Sequence, residues 1–222
     1  MSTLVIVATV LVVAGVVYFF FTWKPSKYDD DRIVLFENSI AGDTQLAYPG
    51  ALPKSLNQPQ GLTYSYSAWI LVKDFTVGYG TKRRIFSKED APGVYLDSTS
   101  NALLVAVKTF NTTETILIPN ISAMKWIHFA MVVDQQAVDI YINGILRQHH
   151  TLGQLPQQND AVVTAGPGWD GVLARLYYYP RSITHLEVKK LVKETPPDDL
   201  ERKSSGPQYF DMTWYIGRLY SK

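Results

Sequence analysis

The chain has 222 residues, 46% of them hydrophobic, with 21 basic against 20 acidic side chains and no cysteine. The two signs are interspersed, so there is no basic stripe for a nucleic-acid backbone, and that partner class is set aside. Without cysteine there is no disulfide framework and no thiolate chemistry, which favours a domain folded in reducing cytosol.

The first element is Leu4–Trp23, LVIVATVLVVAGVVYFFFTW, which carries no charge. A helix of this length spans about 30 Å, the thickness of a bilayer's hydrocarbon core. Leu4, Val10, Val17 and Phe20 belong to its apolar body, and Trp23 stands where amphipathic rings meet headgroups. A cleaved signal peptide would want a basic start and a small-x-small site; here the start is Met1-Ser2-Thr3 and the run ends in aromatic residues. Residues 1–24 are therefore expected to be a retained transmembrane anchor, and 25–32 a charged linker. Lys24, Lys27 and Arg32 follow the span, which puts the remainder of the chain on the cytoplasmic side.

Ile33–Phe36 reads as a first strand and Asn38–Gly61 as a long loop rich in Gly, Pro, Asn and Gln. From Leu62 the period is two: Tyr64, Tyr66 and Ala68 alternate with Ser65, Ser67 and Trp69, a half-buried strand. Short strands are expected over Arg84–Ser87, Val94–Asp97, Ala102–Lys108 and Thr115–Ile118. Trp126–Val133 and Val138–Ile142 follow, and Asn143-Gly144 predicts a type I′ hairpin into Ile145-Leu146. Val162–Thr164 and Val172–Tyr179 complete the set. Thr184 with Glu187 forms a capping-box pattern, and Ile183, Leu186, Val188, Leu191 and Val192 make the apolar stripe of one short helix. Many short strands, frequent turns and almost no helix predict an all-β antiparallel sandwich over 33–195. Residues 196–222 form a separate aromatic arm, with Tyr209, Phe210, Trp214 and Tyr215 packing either on their own sandwich or on a neighbour.

Trp126-Ile127-His128-Phe129-Ala130, followed by Asp139-Ile140-Tyr141-Ile142-Asn143-Gly144, resembles the concanavalin A-like, laminin-G-like sandwich. Gly171–Tyr179 and Arg181–Thr184 match that family's last strand and the turn into its helix. The resemblance implies a jelly-roll fold, and such folds host many functions. Ala91–Asp97 with Asn101–Val105 further resembles the version found in virion proteins of large double-stranded DNA viruses of algae and protists.

Glucanases with this sandwich use a Glu-x-Asp-x-x-Glu type spacing, which is absent here, so no enzyme is expected. Some relatives bind calcium through loop aspartates. Asp97 and Asp170 are the candidates, set against the reading that they are solvated loop residues. His128 is read as a hydrogen-bonded structural histidine, and no other cofactor is expected. Trp169, in Gly166-Pro167-Gly168-Trp169-Asp170-Gly171, is either an exposed platform for a sugar or a cap on the core. The expectation is a single-span structural protein: a minor capsid protein tethering the shell of a large DNA virus to its internal membrane. Its partners would be the lipid bilayer and other capsid proteins. The alternative is a membrane-tethered, lectin-like module that binds glycans.

Overall fold

The computed structural model describes residues 31–55 and 62–197. The anchor residues Leu4, Val10, Val17, Phe20 and Trp23 and the arm residues Tyr209, Phe210, Trp214 and Tyr215 lie outside them. Among the described residues no helix is long and apolar enough to cross a membrane. The chain divides into two units at Arg32–Ile33, and the fold below is that of the second.

In chain order the strands are β1 (Ile33–Phe36), β2 (Ile40–Ala41), β3 (Leu46–Ala47), β4 (Thr63–Asp74), β5 (Arg83–Ser87), β6 (Gly93–Leu96) and β7 (Leu103–Lys108). There follow β8 (Thr113–Ile118), β9 (Trp126–Asp134), β10 (Ala137–Ile142), β11 (Ile145–Thr151), β12 (Thr164–Ala165), β13 (Asp170–Tyr179) and the helix α1 (His185–Lys193). The first sheet runs β1-β13-β4-β9-β10-β11, with β2 also on β13; the second runs β3-β12-β5-β6-β7-β8. All named pairings are antiparallel. The expected sandwich is present. The segment read as one long loop over Asn38–Gly61 instead contributes two-residue β2 and β3, each adding a short edge to a different sheet. The strand expected over Val162–Thr164 lies at Thr164–Ala165, and Val162 is exposed.

Period-two alternation builds the core. Tyr64, Tyr66, Ala68, Ile70 and Val72 of β4 and Ile127, Phe129, Met131 and Val133 of β9 face inward, against Val94, Leu96, Leu103, Val105 and Val107. Burial of each such side chain contributes about 1.5–3 kcal/mol. Aromatic rings link the layers: Tyr66 to Phe86 at 5.6 Å between centroids, and Phe86 to Phe129 at 6.3 Å.

The other face of the first sheet departs from expectation. Ser65 and Ser67 point away from the core yet are 0% and 1% exposed, so β4 is buried on both sides rather than half-buried. The cause lies more than a hundred residues away in sequence. A second cluster of Ala130, Val132, Tyr141, Tyr177 and Tyr179 is covered by Ile183, Val188 and Leu191. Ser65 Oγ donates to the carbonyl of Arg181 (2.8 Å) and accepts from Ile183 N–H (3.1 Å).

The capping box starts α1 as the sequence predicts. Thr184 Oγ1 accepts from Glu187 N–H (3.3 Å), and Glu187 Oε2 accepts from Thr184 N–H (2.7 Å). Arg181 Nη2 donates to Glu187 Oε1 (2.7 Å). Burial raises the Glu187 carboxyl pKa, but Arg181 and Thr184 outweigh it, and the net shift is downward. Leu186, placed in the apolar stripe from sequence, is 71% exposed. The cap sets the phase so that Val188 and Leu191 face the sheet, and a residue two positions before Val188 falls on the opposite side.

Two turns carry further weight. Asn143 and Gly144 have φ of 52° and 76°, as a type I′ hairpin requires. The Asn143 side chain also accepts from His128 N–H at 2.8 Å, tying the turn to β9. On β13, Arg175 has φ of 47° beside a register shift between Ala174 and Tyr177. This bulge absorbs one residue, so Leu173, Leu176 and Tyr178 all reach the core while Tyr177 and Tyr179 stay under the helix.

Candidate functional site

Among the described residues no helix lies over the outer face of the second sheet. Arg84, Tyr95, Leu104 and Leu117 stand in register across β5, β6, β7 and β8, and none is fully buried. The next row, Gly93, Ala106 and Thr115, is small. Beside these rows lies a cleft of about 490 Å³ lined by Arg84, Ser87, Asp90, Tyr95, Val162 and Thr164. Ligand clefts commonly measure about 300–1,000 Å³.

Gly93 makes room for the site. A Cβ there would come within 2.4 Å of Asp90 Oδ1 and 2.5 Å of the Tyr95 ring. The loop that delivers Asp90 is held unusually: Glu89 and Asp90, neither of them glycine, have φ of 52° and 60°. Such conformations cost energy and persist where the surroundings impose them. Here Lys88 supplies part of that frame. It is 5% exposed, its Nζ donates to the Asn159 carbonyl (2.8 Å), and Asn159 Nδ2 donates to the Lys88 carbonyl (2.9 Å).

Within the cleft the polar groups form a relay. Asp90 N–H donates to Ser87 Oγ (3.1 Å), and Ser87 lies 3.0 Å from the Tyr95 hydroxyl. The Tyr95 hydroxyl donates to Asp90 Oδ1, so its single proton is committed and Ser87 must donate to it. Burial, reinforced by the Asp90 carboxylate, pushes the Tyr95 pKa up to about 12. Lys82 Nζ lies 3.7 Å from the Tyr95 ring centroid and 3.7 Å from Asp90 Oδ1. Arg84 Nε donates to the Gly166 carbonyl at 2.6 Å, which fixes the plane of the guanidinium. Its two terminal nitrogens have no hydrogen-bond partner among the described residues. The set can donate, accept and carry charge within one cleft, which is the chemistry of recognition.

The residues singled out from sequence lie elsewhere. Trp169 is 1% exposed, which corrects the reading of it as a sugar platform and agrees with the alternative of a core cap. Its indole lies against backbone at Gly42 and Gly171, where an added Cβ would approach the ring to 2.6 Å and 2.2 Å. A cavity of about 470 Å³ beside it is lined by Gly42, Asp43, Lys73, Val77 and Asp170. Asp170 is in a strand of the first sheet, whereas Asp97 lies in the loop just past β6 of the second. The Asp97 carboxylate accepts from Ser100 Oγ (2.6 Å) and from the N–H groups of Ser100 (3.0 Å) and Thr99 (3.3 Å). Asp170 opens β13 opposite Asp74 of β4. Among the described residues no three His, Cys, Asp or Glu side chains gather as a metal site.

His128 is the structural histidine the sequence led us to expect. It is 1% exposed, 2.9 Å from Ser67 Oγ through Nε2, and edge-on to Trp69 at 5.2 Å. Burial pushes its pKa down to about 4.

Several solved structures share the sandwich fold. The receptor-binding domain of botulinum neurotoxin D superposes with a TM-score of 0.58 at 12% identity, covering 75% of this chain and 53% of that one. The serotype D ligand-binding domain in complex with N-acetylneuraminic acid gives 0.58 at 12%, with 75% and 52% covered. Botulinum neurotoxin type C, whose cell entry depends on interaction with two ganglioside molecules, gives 0.57 at 13%, with 77% and 53% covered. The chain thus spans about half the length of these solved chains, and the likeness is one of fold. No curated protein matches the sequence. Residues 42–189 match the concanavalin A-like lectin/glucanases superfamily in its laminin G-like form, and with so much of the sandwich inside the match, the chain belongs to that superfamily.

Proposed function

We propose that this protein is a membrane-anchored adhesion protein whose sandwich holds neighbouring molecules without transforming them. In the setting its sequence resembles, it is a minor capsid protein linking the protein shell of a large DNA virus to the internal membrane. The observation that carries the reading is the uncharged run Leu4–Trp23 ahead of the sandwich. The aromatic arm, with Tyr209, Phe210, Trp214 and Tyr215, is assigned to contacts with other subunits. The test is fractionation of purified particles of the source virus. The protein is expected to stay with the membrane through high salt and to leave with detergent. Release by salt alone would overturn the anchor, and absence from particles would overturn the virion setting.

A second reading is favoured by the open cleft at Arg84, Asp90 and Tyr95: a tethered, lectin-like module that binds glycans. Fold kinship with domains crystallised with sialic acid or tied to gangliosides supports it, as does superfamily membership. The full chain, held in detergent micelles, is expected to label a subset of a glycan array carrying neutral and acidic sugars. A blank array would end this reading and leave the first intact.

A further inference from the structure

We infer that the cleft on the second sheet takes a carboxylated sugar, with Arg84 reading the carboxylate and Asp90, held in place by Ser87 and Tyr95, accepting from adjacent hydroxyls. This rests on the glycan-binding reading and narrows it to a ligand class and a place.

The argument starts from Arg84. Its Nε is used internally, on the Gly166 carbonyl, and that bond fixes the guanidinium plane. The terminal nitrogens remain as a planar fork at the wall of a cleft of about 490 Å³. A fork of this kind matches a carboxylate in two parallel hydrogen bonds, a geometry a lysine cannot offer. A pre-positioned guanidinium also loses little conformational freedom on binding.

The other groups fit hydroxyls rather than a second anion. Asp90 is an acceptor, and Thr164 contributes a hydroxyl to the same wall. Lys82 is engaged with Asp90 and the Tyr95 ring, so it does not add a free positive charge. Glu89 stands at the rim, exposed and acidic. It repels each negative charge a ligand carries, so a sulfated or phosphate-rich chain is disfavoured more than a single carboxylate paired with Arg84. Leu104 and Leu117 continue the row from Tyr95 and give the apolar face of a pyranose ring a surface to lie on.

The test uses the full chain in detergent micelles and measures affinity for four probes: sialyllactose, its methyl ester, a glucuronic-acid disaccharide, and lactose. The carboxylated sugars are expected to bind at least about ten-fold more tightly than the methyl ester or lactose, the size of one charged hydrogen-bonded contact. Comparing acid with ester on the unaltered protein makes the result independent of any variant's folding. Arg84→Gln is then expected to abolish the preference for acid over ester while the protein still melts cooperatively. The sialic and glucuronic arms separate the two sources of the same carboxylate chemistry, and binding of either supports the assignment. Equal affinity for acid, ester and lactose would overturn the assignment and leave glycan binding standing. Heparin or inorganic phosphate displacing sialyllactose with higher affinity would also overturn it. Binding of no sugar, here or on the array, would remove this assignment together with the glycan-binding reading.

Discussion

The two sheets have outer faces of opposite character. On the first sheet Ser65, Ser67, Tyr177 and Tyr179 look away from the core, and all are buried, because α1 and the segment before it lie over them. On the second sheet Arg84 and Tyr95 occupy equivalent outward positions, with no helix above them among the described residues. Both faces carry hydroxyls and aromatic rings. On the first sheet the hydroxyls are satisfied beneath the covering segment; on the second Ser87 and Tyr95 bond to each other and to Asp90 at the wall of an open cleft. The contrast separates a face that the fold closes over from a face that it leaves open beside a cleft.

Truncating the closed face should cost most. Tyr177→Ala removes a ring that is 4% exposed beneath α1, and a loss of about 3–5 kcal/mol is expected, read as a lowered midpoint in urea unfolding. A loss below about 1 kcal/mol would mean that the helix does not cover this face in solution.

Acid should attack the same face next. His128 has a folded-state pKa of about 4 against an ordinary 6.5. At pH 7 both folded and unfolded forms are neutral, and nothing is lost. As pH falls below about 6.5 the unfolded chain takes up a proton that the folded one refuses, and stability declines until about pH 4. Between pH 7 and pH 4.5 this group removes about 2–3 kcal/mol. Urea unfolding across that range should show the slope, and His128→Gln should flatten it. An unchanged slope in the variant would assign the acid sensitivity to other groups.

A smaller effect is expected at the cap of the covering helix. Thr184→Ala removes one half of the capping box and should cost about 1 kcal/mol. Amide exchange should quicken at the first turn of α1, where the freed N–H groups lie.

Least affected should be the open face. Tyr95→Phe deletes the hydroxyl between Ser87 and Asp90, at a cost of about 0.5–1 kcal/mol, because water can reach the groups left behind. If the cleft is a binding site, the same change lowers affinity for the carboxylated sugar while the fold barely responds. A large loss of stability at Tyr95 would instead make the second face structural like the first, and would erase the contrast.

Legibility followed the range of the interactions. The β10–β11 hairpin was readable because Asn143-Gly144 states its own turn type, and the start of α1 because Thr184 and Glu187 satisfy each other three residues apart. The burial of Ser65 was not readable, since its partners are Arg181 and Ile183 at the far end of the domain. Trp169 misled as a sugar platform for a related reason. An aromatic residue among glycines looks like an exposed loop, yet the glycines are what allow the indole to lie against the backbone. The cleft escaped notice because Glu89 and Asp90 adopt positive φ without any glycine or asparagine to announce it. The one local sign was Gly93 followed two residues later by Tyr95, with Asp90 just before.

By itself the sequence determined the strands, the hairpins, the capped helix and the sandwich class, because period-two patterning, turn dipeptides and caps are contacts among near neighbours. It also supplies the uncharged opening run on which the proposed anchor depends. Only the tertiary structure decided which face α1 would close, that Trp169 would be interior, and that Arg84, Asp90 and Tyr95 would share a cleft. Those outcomes depend on register between strands distant in the chain and on which atoms are left without a partner once the two layers have packed, and no local pattern encodes either.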